Sequence, residues 1–123
     1  MNLLLVDDDK VNSDLIKMLL EMDGFTVQLA PTLEQARTQL TAVDDLQAII
    51  IDCNLAGGAN GLELAAEIRR GETGAPRDLI IIATSGDDRR AAEAQAAGAT
   101  QFYLKPYSLN DFSANLQALL QNK

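Results

Sequence analysis

Apolar residues in this chain gather into short unbroken runs, and each run alternates with a stretch of helical period. Leu3-Leu4-Leu5-Val6, Ile49-Ile50-Ile51 and Leu79-Ile80-Ile81-Ile82-Ala83 have the length, branching and flanking punctuation of strands buried on both faces. Phe25, Val27 and Leu29 alternate with Thr26 and Gln28, the pattern of a half-buried strand, and Phe102-Tyr103-Leu104 predicts a last one. Between them, Val11, Leu15, Met18, Leu19 and Met22 recur at helical spacing until Gly24. Thr32-Leu33-Glu34-Gln35 has the capping-box form and opens a helix carrying Leu33, Ala36 and Leu40. A third helix carries Leu62, Ala65 and Ile68. An alanine-rich fourth is predicted over Asp87 to Ala97, and a fifth starts at Ser108-Leu109-Asn110-Asp111 and turns Leu109, Phe112, Leu116, Leu119 and Leu120 inward. Strict alternation, with every crossover long enough for a βαβ unit, predicts an α/β fold: one parallel sheet with helices on both faces.

Composition narrows the classes. The 123 residues are read as one domain, 1–123, with apolar residues at 47% and charged residues at 23%, ordinary for a globular chain. No run reaches the ~18 apolar residues of a membrane span, and the fold is read as beginning at once, with no signal peptide ahead of Leu3. A single cysteine, Cys53, rules out an internal disulfide and suits a cytoplasmic setting. It reads as a packed small hydrophobe rather than a redox sensor. The formal charge of -8, without a Lys/Arg stripe, argues against direct nucleic-acid binding. The absence of histidine removes Ser/His and Cys/His hydrolase arrangements and any ordinary zinc site.

In a parallel sheet all carboxyl ends share one edge, where open α/β sheets place their chemistry. That geometry gathers Asp7, Asp8 and Asp9, Asp52, the hydroxyls of Thr84 and Ser85, and Lys105. Two carboxylates about 4 Å apart repel by roughly 4 kcal/mol at an effective dielectric near 20, so a proton or a cation must sit between them. Oxygen ligands without histidine or thiolate suit a hard ion, Mg²⁺ before Ca²⁺. Asp52 is then the nucleophile of phosphoryl transfer, with Lys105 balancing charge and Thr84 or Ser85 donating a hydrogen bond. Plainer readings stand beside this one: a solvated Asp52, an acidic run that caps a helix, a surface lysine, an ordinary turn.

With these residues in place, the whole chain resembles a response-regulator receiver domain of two-component signalling. The resemblance rests on Leu5-Val6-Asp7-Asp8-Asp9, Ile50-Ile51-Asp52, Asn60-Gly61-Leu62-Glu63 and Gly98-Ala99 through Lys105-Pro106-Tyr107. It implies a flavodoxin-like (βα)5 fold with strand order 2-1-3-4-5. It further implies that Asp52 takes a phosphoryl group from the phosphohistidine of a histidine kinase or phosphotransfer protein. Mg²⁺ would be held by Asp8, Asp52 and the backbone carbonyl of Asn54, with Asp7 positioning a metal water. Such a domain is not an enzyme but assists its own phosphotransfer and dephosphorylation. The resemblance implies a cis Lys105–Pro106 bond, and a switch in which the hydroxyl turns to the phosphoryl group and Phe102 turns inward. The face made by the fourth helix, fifth strand and fifth helix would then be reshaped for a downstream protein target, or for a homodimer. The alanine-rich fourth helix buries little and would shift cheaply.

Three departures from the family pattern stand out. The loop after Asp52 has no proline, reads Ala56-Gly57-Gly58-Ala59 and is one residue longer than usual before Gly61, so it is expected to be mobile. The interval from Thr84 to Gly98 is short, leaving Thr84 and Ser85 both open as the switch hydroxyl, and Tyr107 replaces the commoner phenylalanine. The expected function is a phosphorylatable receiver without an output domain. The rivals are a receiver-shaped interaction module that is never phosphorylated, and an enzyme or cofactor binder on the same sheet. Against the last, three aspartates would repel an FMN phosphate, the glycine loop lacks the Lys-Ser/Thr of a P-loop, and Asn54 stands where a dehalogenase-type phosphatase needs a second aspartate.

Overall fold

The unbroken β-branched runs form the centre of a five-stranded parallel sheet in a computed structural model that describes residues 1–43, 45–55 and 58–121. The elements alternate as β1 (Asn2–Val6), α1 (Lys10–Met22), β2 (Thr26–Ala30), α2 (Leu33–Ala42), β3 (Leu46–Asp52), α3 (Leu62–Arg69), β4 (Ile80–Ser85), α4 (Arg90–Ala96), β5 (Gln101–Leu104) and α5 (Leu109–Gln121). Strand order is β2-β1-β3-β4-β5, with every pairing parallel. This is the flavodoxin-like order expected from the resemblance.

Alternation divides the core between two faces. Leu4, Val6, Ile49, Ile51 and Ile81 pack beneath α2 and α3 against Leu40, Leu64 and Ile68. Leu3, Leu5, Ile50, Ile80 and Ile82 pack beneath α1 and α5 against Ile16, Leu20, Phe112 and Leu116. Each such side chain, fully buried, stabilises the fold by about 1.5–3 kcal/mol. β1 and β3 are therefore the strands least free to move, and the site hangs from their ends.

The helices start and stop where local chemistry dictates. Thr32 caps α2 by accepting from Gln35 N at 3.1 Å, as the capping-box pattern predicts. Gly24, with φ of 97°, follows α1 and donates to Glu21 O, a left-handed exit that a side chain would strain. Two expectations need correction. The stripe that marks α1 in the sequence is not its buried face: Val11 is 81% exposed and Met22 75%, and Leu15 and Met18 also face out. Ser13, Ile16 and Leu20 are buried instead. The helix carries two apolar stripes of the same period, and periodicity alone cannot say which meets the sheet. The fourth helix begins at Arg90, not Asp87, because the Asp87 carboxylate accepts from Arg89 N at 3.0 Å and closes a turn first. Ala94 is its one buried residue among those described, in keeping with the small burial expected of it.

Candidate functional site

β1, β3, β4 and β5 end together at one edge. Val6 pairs with Ile51 and Asp52 with Thr84, so Asp7 and Asp52 leave neighbouring strands at the same level. The acidic run then divides its labour. Asp9 is the N-cap of α1 and accepts from Asn12 N at 3.1 Å, the role of the plainer reading. Asp7 turns inward, 5% exposed, accepting from Asp9 N and from Asn12 Nδ2, each at 2.9 Å. Asp8 stays exposed.

Ligand oxygens of Asp7, Asp8 and Asp52 all lie within 4.8 Å of one another. At that separation each pair of charges repels by roughly 3.5 kcal/mol at an effective dielectric of 20. Lys105 supplies part of the counter-charge: its Nζ lies 2.9 Å from Asp52 Oδ2 and 3.9 Å from Asp7 Oδ2. The lysine is placed by backbone, since Lys105 N donates to Ser85 O at 2.8 Å. The Lys105–Pro106 bond is cis, as the resemblance implies. The other carboxylate oxygen of Asp52 accepts from Asn54 N at 3.0 Å. Three carboxylates against one ammonium form a hard, oxygen-only donor set, which fits a divalent ion such as Mg²⁺.

Both hydroxyls at the end of β4 are buried, and alternation separates them. Ala83 pairs with Phe102 and Thr84 with Tyr103. Ser85 therefore shares the face of Phe102, and Thr84 the face of Tyr103. Ser85 Oγ accepts from Asn54 Nδ2 at 3.2 Å and from Asp87 N at 3.1 Å. Phe102 is partly buried against Cys53, Leu62, Ala83 and Ala94. On the opposite face Tyr103, Tyr107 and Phe112 form an aromatic cluster with centroids 4.9–5.6 Å apart. Burial first, and then nearby Asp7 and Asp52, pushes the Tyr107 phenol up to about 12.

The β3–α3 connection is closed by an isolated bridge between Asn54 and Asn60. Ala56 and Gly57, to which the expectation of mobility chiefly applies, lie outside the described residues. Gly61 is required by close approach: a Cβ there would overlap the carbonyl oxygen of Asp52 and the side chain of Ile51. Cys53 is fully buried, and burial pushes its thiol up to about 11, in keeping with a packed hydrophobe.

Of three further polar residues at the site, Asn60 belongs to a motif of the resemblance but has no role assigned there, and Asn12 and Arg90 carry no sequence signal. Asn12 and Asn60 are ordinary helix and loop asparagines until the fold brings them to Asp7 and to the start of α3. Arg90 reaches from α4 across the loop, donating from Nη1 to Asn54 Oδ1 at 2.6 Å and from Nη2 to Asn60 Oδ1 at 2.8 Å. Its neighbour Arg89, chemically identical, points instead at Asp87.

A flavodoxin-like sheet whose carboxyl edge holds an acidic cluster and a lysine-paired aspartate defines a narrow class. The chain belongs to the response regulator receiver domain family of two-component systems, whose sequence profile matches residues 3–117. Among curated relatives it is 28% identical to the phosphate regulon transcriptional regulatory protein PhoB of Pseudomonas aeruginosa over 119 residues, 97% of this chain and 51% of that protein. The chain thus spans about half the length of the curated relatives it matches. Among solved structures, a response regulator from Chloroflexus aurantiacus superposes with a TM-score of 0.86 at 25% identity, covering 98% of this chain and 97% of that one. A response regulator from Burkholderia pseudomallei, crystallised with a phosphorylated aspartic acid, calcium ion and citrate, superposes with a TM-score of 0.78 at 25% identity, covering 99% and 75%. No helix among the described residues is long and apolar enough to cross a membrane.

Proposed function

We propose that residues 1–123 act as a phosphoacceptor receiver in the cytoplasm, taking a phosphoryl group onto Asp52 from a histidine kinase or phosphotransfer protein. A carboxylate oxygen of Asp52 forms the new O–P bond as the donor's P–N bond breaks, and the imidazole leaves with the electron pair. The observation that carries this reading is the pairing of Asp52 with Lys105 Nζ at 2.9 Å inside the cluster of Asp7, Asp8 and Asp52. Asp8, Asp52 and the Asn54 carbonyl would hold Mg²⁺, with Asp7 orienting a bound water, and the ion would offset charge on the transferring group. Lys105 keeps a fixed positive charge at the same place, so the domain assists its own phosphotransfer and dephosphorylation without being an enzyme. The phosphorylated aspartic acid of the similar Burkholderia protein supports the assignment.

Of the two hydroxyls, we assign the switch to Ser85, because it shares a face with Phe102 and touches the loop that follows Asp52. Its turning toward the phosphoryl group would let Phe102 move inward and reshape the α4-β5-α5 face for a protein target or a second copy. The test is intact mass after incubation with Mg²⁺ and acetyl phosphate, beside Asp52→Asn and an EDTA control. One added phosphoryl group, lost in both controls, is the expected result. No adduct from either acetyl phosphate or a kinase donor would sink the assignment and favour an interaction module that is never phosphorylated.

A further inference from the structure

Asn54 is held on three sides. Its backbone N–H donates to Asp52 Oδ1, its side-chain Nδ2 donates to Ser85 Oγ, and its Oδ1 accepts from Arg90 Nη1. The direction of the last bond is not free. A guanidinium has only donors, so the amide oxygen of Asn54 must face Arg90 and its NH₂ must face Ser85. Ser85 Oγ then accepts twice, from Asn54 Nδ2 and Asp87 N, and its own proton is left to donate elsewhere. Were the amide reversed, its oxygen would face Ser85 and compete for that proton.

Arg90 is well placed to impose this order. It is the first residue of α4, its side chain is only 21% exposed, and its other arm is fixed on Asn60 Oδ1, which also accepts from Leu62 N at the start of α3. Its Nε lies 2.9 Å from Glu93 Oε2, an ion pair too bent to count as a hydrogen bond. Charge-assisted bonds of this kind are about twice as strong as neutral ones, enough to fix an amide orientation.

We propose that Arg90 is a positioning residue for phosphoryl transfer: by fixing the Asn54 amide it sets the Ser85 hydroxyl as a donor toward the group arriving on Asp52. The same bonds make Arg90 the link between the acceptor loop and α4. This inference rests on the phosphoacceptor reading and deepens it.

The experiment measures the rate of phosphoryl uptake from phosphoramidate in saturating Mg²⁺. The P–N bond breaks with its electron pair leaving on the already protonated nitrogen as ammonia, while a carboxylate oxygen of Asp52 bonds to phosphorus. Arg90→Met keeps the stem but removes the donors, and uptake should slow roughly tenfold, the equivalent of about one lost hydrogen bond. Arg90→Lys keeps a donor but not the fork that spans Asn54 and Asn60, so its rate should fall between those of Arg90→Met and the wild type. The deciding readout is the cycle with Ser85→Ala: if Arg90 acts through the hydroxyl, Arg90→Met should slow the Ser85→Ala variant no further. Full speed in Arg90→Met overturns the inference, as does a loss that multiplies with Ser85→Ala or an Arg90→Lys variant no faster than Arg90→Met. A wild-type chain that takes up no phosphoryl group overturns the phosphoacceptor reading itself, and this inference with it.

Discussion

Gathering three carboxylates at one edge has a cost that a single substitution should expose. Asp8 is the exposed member of the cluster, and its ligand oxygen lies within 4.8 Å of those of both Asp7 and Asp52. Asp8→Asn removes one charge from two repulsive pairs and keeps nearly the same shape. At 4.8 Å a pair is worth roughly 3.5 kcal/mol at a dielectric of 20 and roughly 0.9 kcal/mol in bulk water, and an exposed group sits near the lower figure. The separation is inside the Debye length of about 8 Å, so physiological salt screens the repulsion only in part. Lys105, 2.9 Å from Asp52, already offsets some of it. The net expectation is a gain of about 1–2 kcal/mol without metal, or roughly 4–8 °C in thermal midpoint for a chain of this size.

Magnesium should erase that advantage. A ligand at ten times its dissociation constant stabilises the folded chain by about 1.4 kcal/mol, and the wild type should gain more from it than a variant lacking one ligand. Urea or thermal unfolding followed by circular dichroism, in EDTA and in excess Mg²⁺, measures all four states. The reasoning predicts Asp8→Asn above wild type in EDTA and the gap closed or reversed in Mg²⁺. An Asp8→Asn chain no more stable than wild type in EDTA would refute the electrostatic argument. An equal response of both chains to Mg²⁺ would remove Asp8 from the metal site.

Two further outcomes follow from burial. The Cys53 thiol is raised from 9.0 to about 11 by burial, so above pH 9 the unfolded chain loses this proton before the folded one does, and stability should fall between pH 9 and pH 11. Urea midpoints across that range check it: Cys53→Ala should flatten that part of the slope, and a wild type equally stable at pH 8 and pH 11 would contradict it. Gly61→Ala should lower stability by about 1–3 kcal/mol, because the new Cβ would overlap the Asp52 carbonyl and the Ile51 side chain. Phosphoryl uptake should slow with it as the acceptor loop shifts, and an Ala variant with an unchanged urea midpoint would show that the junction relaxes freely.

The fold was legible where the sequence had no second option. Ile49-Ile50-Ile51 and Ile80-Ile81-Ile82 are too short and too branched for helices, and they became the sheet centre. The carboxyl-edge residues followed from one geometric fact about parallel sheets, and Asp7, Asp8, Asp52 and Lys105 do converge there. Legibility failed where two local solutions were degenerate. α1 offers apolar stripes on two sides, and the stripe through Ile16 and Leu20 is the one that meets β1 and β2. Arg89 and Arg90 differ only in which way the chain turns after Gly86: the local Asp87 turn folds Arg89 back on its own loop, while the partner of Arg90 lies 36 residues away. The partners of Asn12 and Asn60 were not legible either, because a hydrogen-bonding side chain announces its partner only once the chain has brought the two together.

Alternation along β4 carries the functional consequence furthest. Thr84 and Ser85 are adjacent in sequence, yet one faces the aromatic cluster of Tyr103, Tyr107 and Phe112 under α5, and the other faces Phe102 and the lightly buried α4. Tyr103 meets the buried Phe112 edge to face and Tyr107 packs tilted against both, so a hydroxyl moving on that side meets a wall. On the other side, α4 buries Ala94 alone among its described residues and is tied down by polar contacts, chief among them Arg90 on Asn54 and Asn60. A shift of α4 therefore disturbs those polar contacts and one small buried side chain rather than a large apolar face. On the phosphoacceptor reading, the signal is therefore expected to leave Asp52 through Asn54 and Ser85 toward α4, where Phe102 has only the small cluster of Cys53, Leu62, Ala83 and Ala94 to repack.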